Sequence, residues 1–316
     1  MKFRYFLAIL ILFSSSCSSN VQKTERYIAV TIDDLPVASK PTDLRTQQEI
    51  TRRLLAHIAK AAIPAVGFVN EGKLHADEKR VEEEIDLLRS WVKARLELGN
   101  HTYSHMSLHG HSLEEYQEDI LKGEIVTKKI IGAEGKRMRY FRHPYLHTGL
   151  DLDTKRKLGQ FLTQHDYTIA PVTIDNSDWI FARAYDDAIE RKDKKLMERI
   201  GAAYVTYLEA KTDYWERQSV EIFGREIKQI LLLHANSLNA DFLDDIARML
   251  KGGGYRFVSL ENALTDEAYK LPDTFTQNAG ISWLHRWALA KGRGHIIPDE
   301  PRTPGWVMKE AGVDSE

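Results

Sequence analysis

The chain has 316 residues, 43% of them hydrophobic and 28% charged, a composition that excludes a disordered or collagen-like protein and supplies a sizeable apolar core. A formal net charge of −2, with both signs mixed along the chain, leaves no electrostatic footprint for nucleic acid and makes polyanions poor partners. The length admits two domains or a single α/β barrel.

Lys2 and Arg4 precede the apolar run Phe6 to Phe13, which Ser14, Ser15, Ser16 and Cys17 follow, the layout of a signal peptide over residues 1–16. The run is too short to span a bilayer comfortably. Cys17 is the only cysteine, so no disulfide framework exists and the core must carry stability unaided. Its position resembles the lipidated cysteine of bacterial lipoproteins, although Ser14 stands where that pattern usually has Leu. The expectation is an exported chain, lipid-anchored to a bacterial membrane (periplasmic or cell surface) through a spacer over 17–26. The alternative is a plain secreted protein with an incidental cysteine.

Tyr27 to Thr31 then reads as a strand, and Ile50, Leu54, Ile58 and Ala61 recur at helical spacing. Ala65 to Val69 is the next strand, followed by a helix with the stripe Val81, Ile85, Leu88, Val92 and Leu96 that ends at Gly99 and Asn100. Ser112 and Glu115 form a capping box. Tyr140 to Arg142, Thr168 to Ile174, Ile230 to His234 and Phe257 to Leu260 supply further strands between helical segments. This βαβα rhythm predicts a parallel sheet or barrel covered by helices. Two segments stand outside it. Residues 181–226 form a charged, mostly helical insertion, read as an outer layer with a solvated face rather than a lid. Residues 261–316 form a tail in which Trp283 and Trp287, four apart, read as a packed helix stripe rather than a sugar platform.

The stretch "VTIDDLP" runs a strand into two adjacent aspartates and a proline. Taken alone it reads as a turn, because Asp is a common turn residue and Pro cannot join a ladder. "GNHTYSH" places His101 and His105 four apart, so on a helical turn both rings share one face; a pair of this kind is either half a metal site or a packing accident. One aspartate added to both imidazoles makes a three-ligand site with a position open for water, and leaves the second aspartate free as a base. An amide substrate also needs an acid for its leaving nitrogen, and "ILLLHA" offers His234 at a strand end; a backbone-bonded histidine is the plainer reading of that residue.

The ordered set "TIDDLP", "HTYSH", "FRHPY", "DNSDW" and "LLLH" resembles the motifs of the NodB-homology polysaccharide deacetylases, a carbohydrate esterase family, over Tyr27 to about Leu260. The resemblance implies a distorted (β/α)7 barrel, here a catalytic domain over 27–262 with a C-terminal extension over 263–316, and catalytic residues at strand ends. It implies Asp33 as base; Asp34, His101 and His105 as metal ligands; Arg142 as partner of the base; and the Tyr145 backbone N–H as an oxyanion donor. It further implies His234 as general acid, Asp178 as the carboxylate that orients it, and Trp179 and Leu232 as walls of the acetyl pocket. Leu35 replaces the usual glycine and His143 a frequent proline, which implies a reshaped groove rim. His109, His111, His143 and His147 are irregularly spaced and read as surface or groove residues. The expected chemistry is removal of N-acetyl groups from an amino-sugar glycan by a divalent metal, zinc first, with cobalt or nickel as substitutes. An O-acetyl esterase or small-amide hydrolase using the same site is the near alternative. A carbohydrate-binding surface lipoprotein without turnover is the distant one; complete metal and acid–base sets argue against it.

Overall fold

The computed structural model describes residues 25–39, 43–76, 79–80 and 82–316. The expected signal peptide, Cys17 and nearly all of the spacer lie outside the described residues. The chain runs β1 (Arg26–Leu35), α1 (Leu44–Ala61), β2 (Val66–Val69), a side hairpin β3 (His75–Ala76) and β4 (Lys79–Arg80), α2 (Glu82–Lys93) and β5 (Glu97–Asn100). Then come α3 (Leu113–Lys122), α4 (Ile125–Gly132), β6 (Tyr140–Phe141), α5 (Leu152–Gln164) and β7 (Thr168–Ile169). Helices α6 (Asp178–Glu190) and α7 (Lys194–Phe223) precede β8 (Gln229–His234), α8 (Ser237–Gly252) and β9 (Tyr255–Phe257).

The large sheet is parallel throughout, in the order β7-β6-β5-β2-β1-β8, with β9 paired to the start of β1. Strand β1 is the axis of the molecule: Ile28, Val30 and Ile32 on one face and Ala29 and Thr31 on the other are buried, as a strand covered on both faces requires. Full burial of each Ile or Val side chain contributes roughly 1.5–3 kcal/mol. Beyond β7 the chain leaves β6 and reaches β8, where Ile174 bridges Leu231 and the Leu232 amide donates to the Ile174 carbonyl at 3.1 Å. The sheet therefore turns back on itself, and the (β/α)7-type barrel expected from the motifs is the fold observed. The predicted strand Thr168–Ile174 is real only at its two ends, because its middle crosses between neighbours.

Two other boundaries differ from expectation. The helix read as far as Gly99 stops at Lys93: Arg95 takes φ 63, which no helix continues through, and Glu97–Asn100 pairs with β2 as a strand. Gly99 sits opposite Phe68 in that pairing and has no room for a side chain, since a Cβ there would lie 2.5 Å from the Phe68 ring. Strand β9 ends at Phe257, since Ser259 accepts from the Asn262 amide and starts a helical turn at Leu260. The capping box of Ser112 and Glu115 forms as predicted.

The insertion is the helix pair α6 and α7, which packs Phe181, Tyr185, Tyr204, Leu208, Tyr214 and Trp215 inward. In the tail, the helix Trp283–Ala290 buries both tryptophans, and its start is tied to the β7–β8 crossover by the Trp283 amide on the Val172 carbonyl at 2.8 Å.

Candidate active site

The register of β1 on β8 runs from Ile28 opposite Gln229 to Asp33 opposite His234, which sets the first aspartate and the histidine side by side at the sheet's end. Asp34 takes φ 70, so strand alternation ends there and the second carboxylate turns to the same cavity as the first. The doublet is a turn and a site at once. Leu35 points away from that cavity: it is fully buried against Gly67 of β2, where a Cβ would meet the leucine at 2.7 Å. The expectation that Leu35 reshapes the groove rim is thus corrected, because the absent side chain at Gly67 makes room for it in the core.

His101 leaves β5, and its Nδ1–H donates to the Arg142 carbonyl at 2.8 Å, which leaves the Nε2 lone pair free. The segment to His105 is not the helical turn read from the spacing; Thr102 and His105 take φ 63 and 58, and these left-handed residues bring the rings to 4.9 Å between centroids. The Nε2 atoms of His101 and His105 lie 3.6 and 3.4 Å from one atom, Asp34 Oδ1. Among the described residues, these three form the group of metal-type donors whose ligand atoms lie within 4.8 Å of one another. Asp34 Oδ1 is buried without a hydrogen-bond donor, an arrangement that costs free energy unless a cation completes it. Burial drives the His101 imidazole well below its ordinary pKa, helped by His105, and burial also lowers His105, so both rings are neutral as ligands must be. Burial works to raise Asp34, yet Lys73 and, when protonated, His105 and His101 hold its carboxyl well below the usual range. The residues present therefore fit a divalent cation.

Asp33 is buried, with Oδ2 3.7 Å from Arg142 Nη1 and 3.8 Å from His101 Nε2, and its Oδ1 has no hydrogen-bond partner. Burial pushes its carboxyl up to about 6 against the pull of Arg142. Arg142 is itself held by its Nη2–H on Thr31 Oγ1 at 2.8 Å and lies over the Phe68 ring. Across the cavity, His234 Nδ1 lies 2.6 Å from Asp178 Oδ1, while the His234 amide and Asn239 Nδ2 donate to Asp178 Oδ2 at 2.9 and 2.6 Å. Burial opposes charge on His234, but Asp178 overrides it and lifts the imidazole to about 10.

The doublet, both ligand histidines, Tyr145, Trp179, Leu232 and His234 line one cavity of about 1420 Å³. Tyr145 has φ 56, and the bonds of its turn run from the Leu146 amide to His143 and from the His147 amide to Pro144, which leaves the Tyr145 N–H outside them. Trp179 is half exposed and Leu232 buried. Sequence reasoning missed several contributors. Lys73 donates to the Asp34 carbonyl at 2.9 Å, Asn239 and Tyr204 back the Asp178 carboxylate, and Lys211, Glu300 and Arg302 of the insertion and tail line the cavity. Of the extra histidines, His109 and His147 stack at 3.9 Å, and His111 is exposed with its Nδ1–H on the Ser107 carbonyl. His143 is buried under Tyr116 and Phe141, so for that residue the surface reading gives way to a core position touching the cavity.

Residues 20–168 match the family model of polysaccharide deacetylases. This part of the chain, just under half of it, is similar to the polysaccharide deacetylase family. A peptidoglycan-N-acetylglucosamine deacetylase of Bacillus cereus is 29% identical over 152 residues, which make up 48% of this chain and 46% of that protein. The match thus spans about half the length of the curated relative. Among solved structures, a mutant of a family 4 carbohydrate esterase pseudoenzyme with restored enzymatic activity superposes with a TM-score of 0.51 at 20% identity, covering 76% of this chain and 68% of that one. A second mutant of the same pseudoenzyme gives 0.50 at 18% identity over the same shares. These likenesses show the deacetylase fold. Within it, the family match carries the doublet, the histidine pair and the Tyr145 turn, while Asp178, Trp179, Leu232 and His234 lie beyond residue 168.

Proposed function

We propose that this chain is a metal-dependent hydrolase of the deacetylase family that removes N-acetyl groups from an amino-sugar polysaccharide or oligosaccharide. The observation that carries the reading is the meeting, in one cavity, of the donorless Asp34 Oδ1 facing two neutral imidazoles with a buried carboxylate and a protonated histidine. Asp34, His101 and His105 would hold the ion, and their nitrogen and oxygen donors suit zinc, cobalt or nickel better than magnesium. Bound there, a divalent ion would polarise the acetyl carbonyl and acidify the attacking water.

Asp33 takes the water's proton: its carboxyl, at about 6, is ionised at neutral pH and basic enough to work as a general base. Arg142 stabilises the carboxylate form and keeps it in place. The Tyr145 N–H donates to the oxygen that becomes negative when the carbonyl turns tetrahedral. His234, protonated because Asp178 faces it, gives its proton to the departing amine. Leu232 and Trp179 offer apolar surface to the acetyl methyl group.

Export and lipid anchoring through Cys17 belong to the same proposal and rest on the N-terminal sequence; no helix among the described residues is long and apolar enough to cross a membrane. The test of function is acetate release from a panel of N- and O-acetylated oligosaccharides, before and after chelation. Release that chelation abolishes and zinc or cobalt restores is expected. Turnover that persists in verified metal-free protein contradicts the reading, and release from O-acetyl sugars alone replaces it with an esterase.

A further inference from the structure

The tail beyond residue 262 reaches the turn that carries the Tyr145 N–H. Arg286, in the helix Trp283–Ala290, is 1% exposed and spends its guanidinium on this one junction. Its Nη2–H donates to the Leu146 carbonyl at 2.6 Å, its Nη1–H to Thr148 Oγ1 at 2.6 Å and Asp273 Oδ2 at 2.7 Å, and its Nε–H to the Ile281 carbonyl at 2.9 Å. From the other side Gly280 presses on the same turn: a Cβ there would stand 1.8 Å from the Tyr145 carbonyl oxygen. Tyr145 and Leu146 are consecutive non-glycine residues with φ 56 and 54. Such a pair persists only where its surroundings over-determine it.

We propose that Arg286 is a positioning residue for the reaction, which with Gly280 fixes the Tyr145–Leu146 turn so that the Tyr145 N–H aims at the forming oxyanion. The proposal rests on the deacetylase reading above and adds that the C-terminal extension is a working part of the site. Arg286 touches no reacting atom. It acts through the Leu146 carbonyl, two peptide units beyond the donor. The chemistry supports an arginine at this place, because a planar guanidinium can bond a carbonyl, a hydroxyl and a carboxylate at once in fixed directions, whereas a lysine ammonium is a point charge on a flexible stem.

Three variants test it: Arg286→Lys, Gly280→Ala, and as control Lys155→Met, which removes bonds to the same Asp273 and Thr148 but none to Leu146. Arg286→Lys and Gly280→Ala are expected to lower kcat by about 10²-fold, the scale of a small misplacement at a reacting centre, with KM and bound metal unchanged. Both should speed amide hydrogen exchange in the 143–148 segment, while Lys155→Met alters neither kcat nor that exchange. Should Arg286→Lys fail to fold, Gly280→Ala decides alone. Wild-type kcat and exchange in both variants overturn the proposal, and so does an equal loss in Lys155→Met, which would make the cluster merely structural. A metal-loaded wild type that releases no acetate sinks the deacetylase reading instead, and the exchange measurement still decides whether the tail fixes the turn.

Discussion

Asp178 accepts three hydrogen bonds, from His234 Nδ1, the His234 amide and Asn239 Nδ2, whereas Asp33 and Asp34 on the other side of the same cavity each keep a buried oxygen with no donor. Arg142 adds two nitrogens without a hydrogen-bond acceptor, Nε and Nη1, the latter only ion-paired with Asp33 at 3.7 Å. The acid side is a closed network built by this chain alone. On the other side polar atoms stay uncompensated, and under the proposed function an ion held by Asp34, His101 and His105, with water, would recover part of that free energy. Substitutions on the two sides should therefore fail in different ways.

The largest effect is expected at the base. Asp33→Asn keeps the shape but cannot take a proton, so kcat should fall by roughly 10²–10⁴-fold, measured as acetate release at saturating substrate. A smaller loss would hand the base role to another group.

Next is the network's charge. His234 must be protonated to act as an acid, and its value of about 10 depends on Asp178, so wild-type activity should fall as pH rises through that region. In Asp178→Asn only Asp34 and Asp33 are left to oppose burial, and the alkaline limb should move to lower pH. The same pair contributes stability that is complete below about 6.5 and is lost as pH rises toward about 10, because the folded-state value is the raised one. A limb that stays in place in Asp178→Asn would show that another group sets the charge of His234.

The smallest effect tests the outer edge of the closed network. Tyr204 donates its hydroxyl proton to Asn239 Oδ1 at 2.9 Å, and Asn239 in turn holds Asp178. Tyr204→Phe leaves that buried oxygen unpaired and should cost about 1–3 kcal/mol in denaturant unfolding, with kcat nearly unchanged. A large kcat loss at wild-type stability would place Tyr204 in the catalytic chain itself.

How much of this was legible follows the reach of each signal. The doublet, the His101–His105 pair and the strand ending in His234 are short-range patterns, and the fold brings them together where the motifs implied. The wrong helix end shows the limit of periodicity: Leu96 continues the helical stripe of Val92 across Arg95, and nothing local says that the backbone turns left-handed there. His143 lacked a signal of burial, because the aromatic residues above it come from 27 residues upstream and from the end of the preceding strand. Tyr204 and Arg286 were illegible for the same reason, since each acts on the site across a loop or helix that no spacing rule connects. The tail's contacts with Leu146 and Thr148 exist only once α5 and the Trp283–Ala290 helix have packed around them.

The most direct test of the account is metal analysis of three purified proteins, wild type, Asp33→Asn and Asp34→Asn, after equal exposure to zinc and desalting. The account predicts about one ion per chain in wild type and in Asp33→Asn, and loss of it in Asp34→Asn with activity partly regained at high zinc. Equal loss in both variants would make the doublet a joint ligand with no separate base. A wild type that holds no ion would contradict the assignment of Asp34, His101 and His105 altogether.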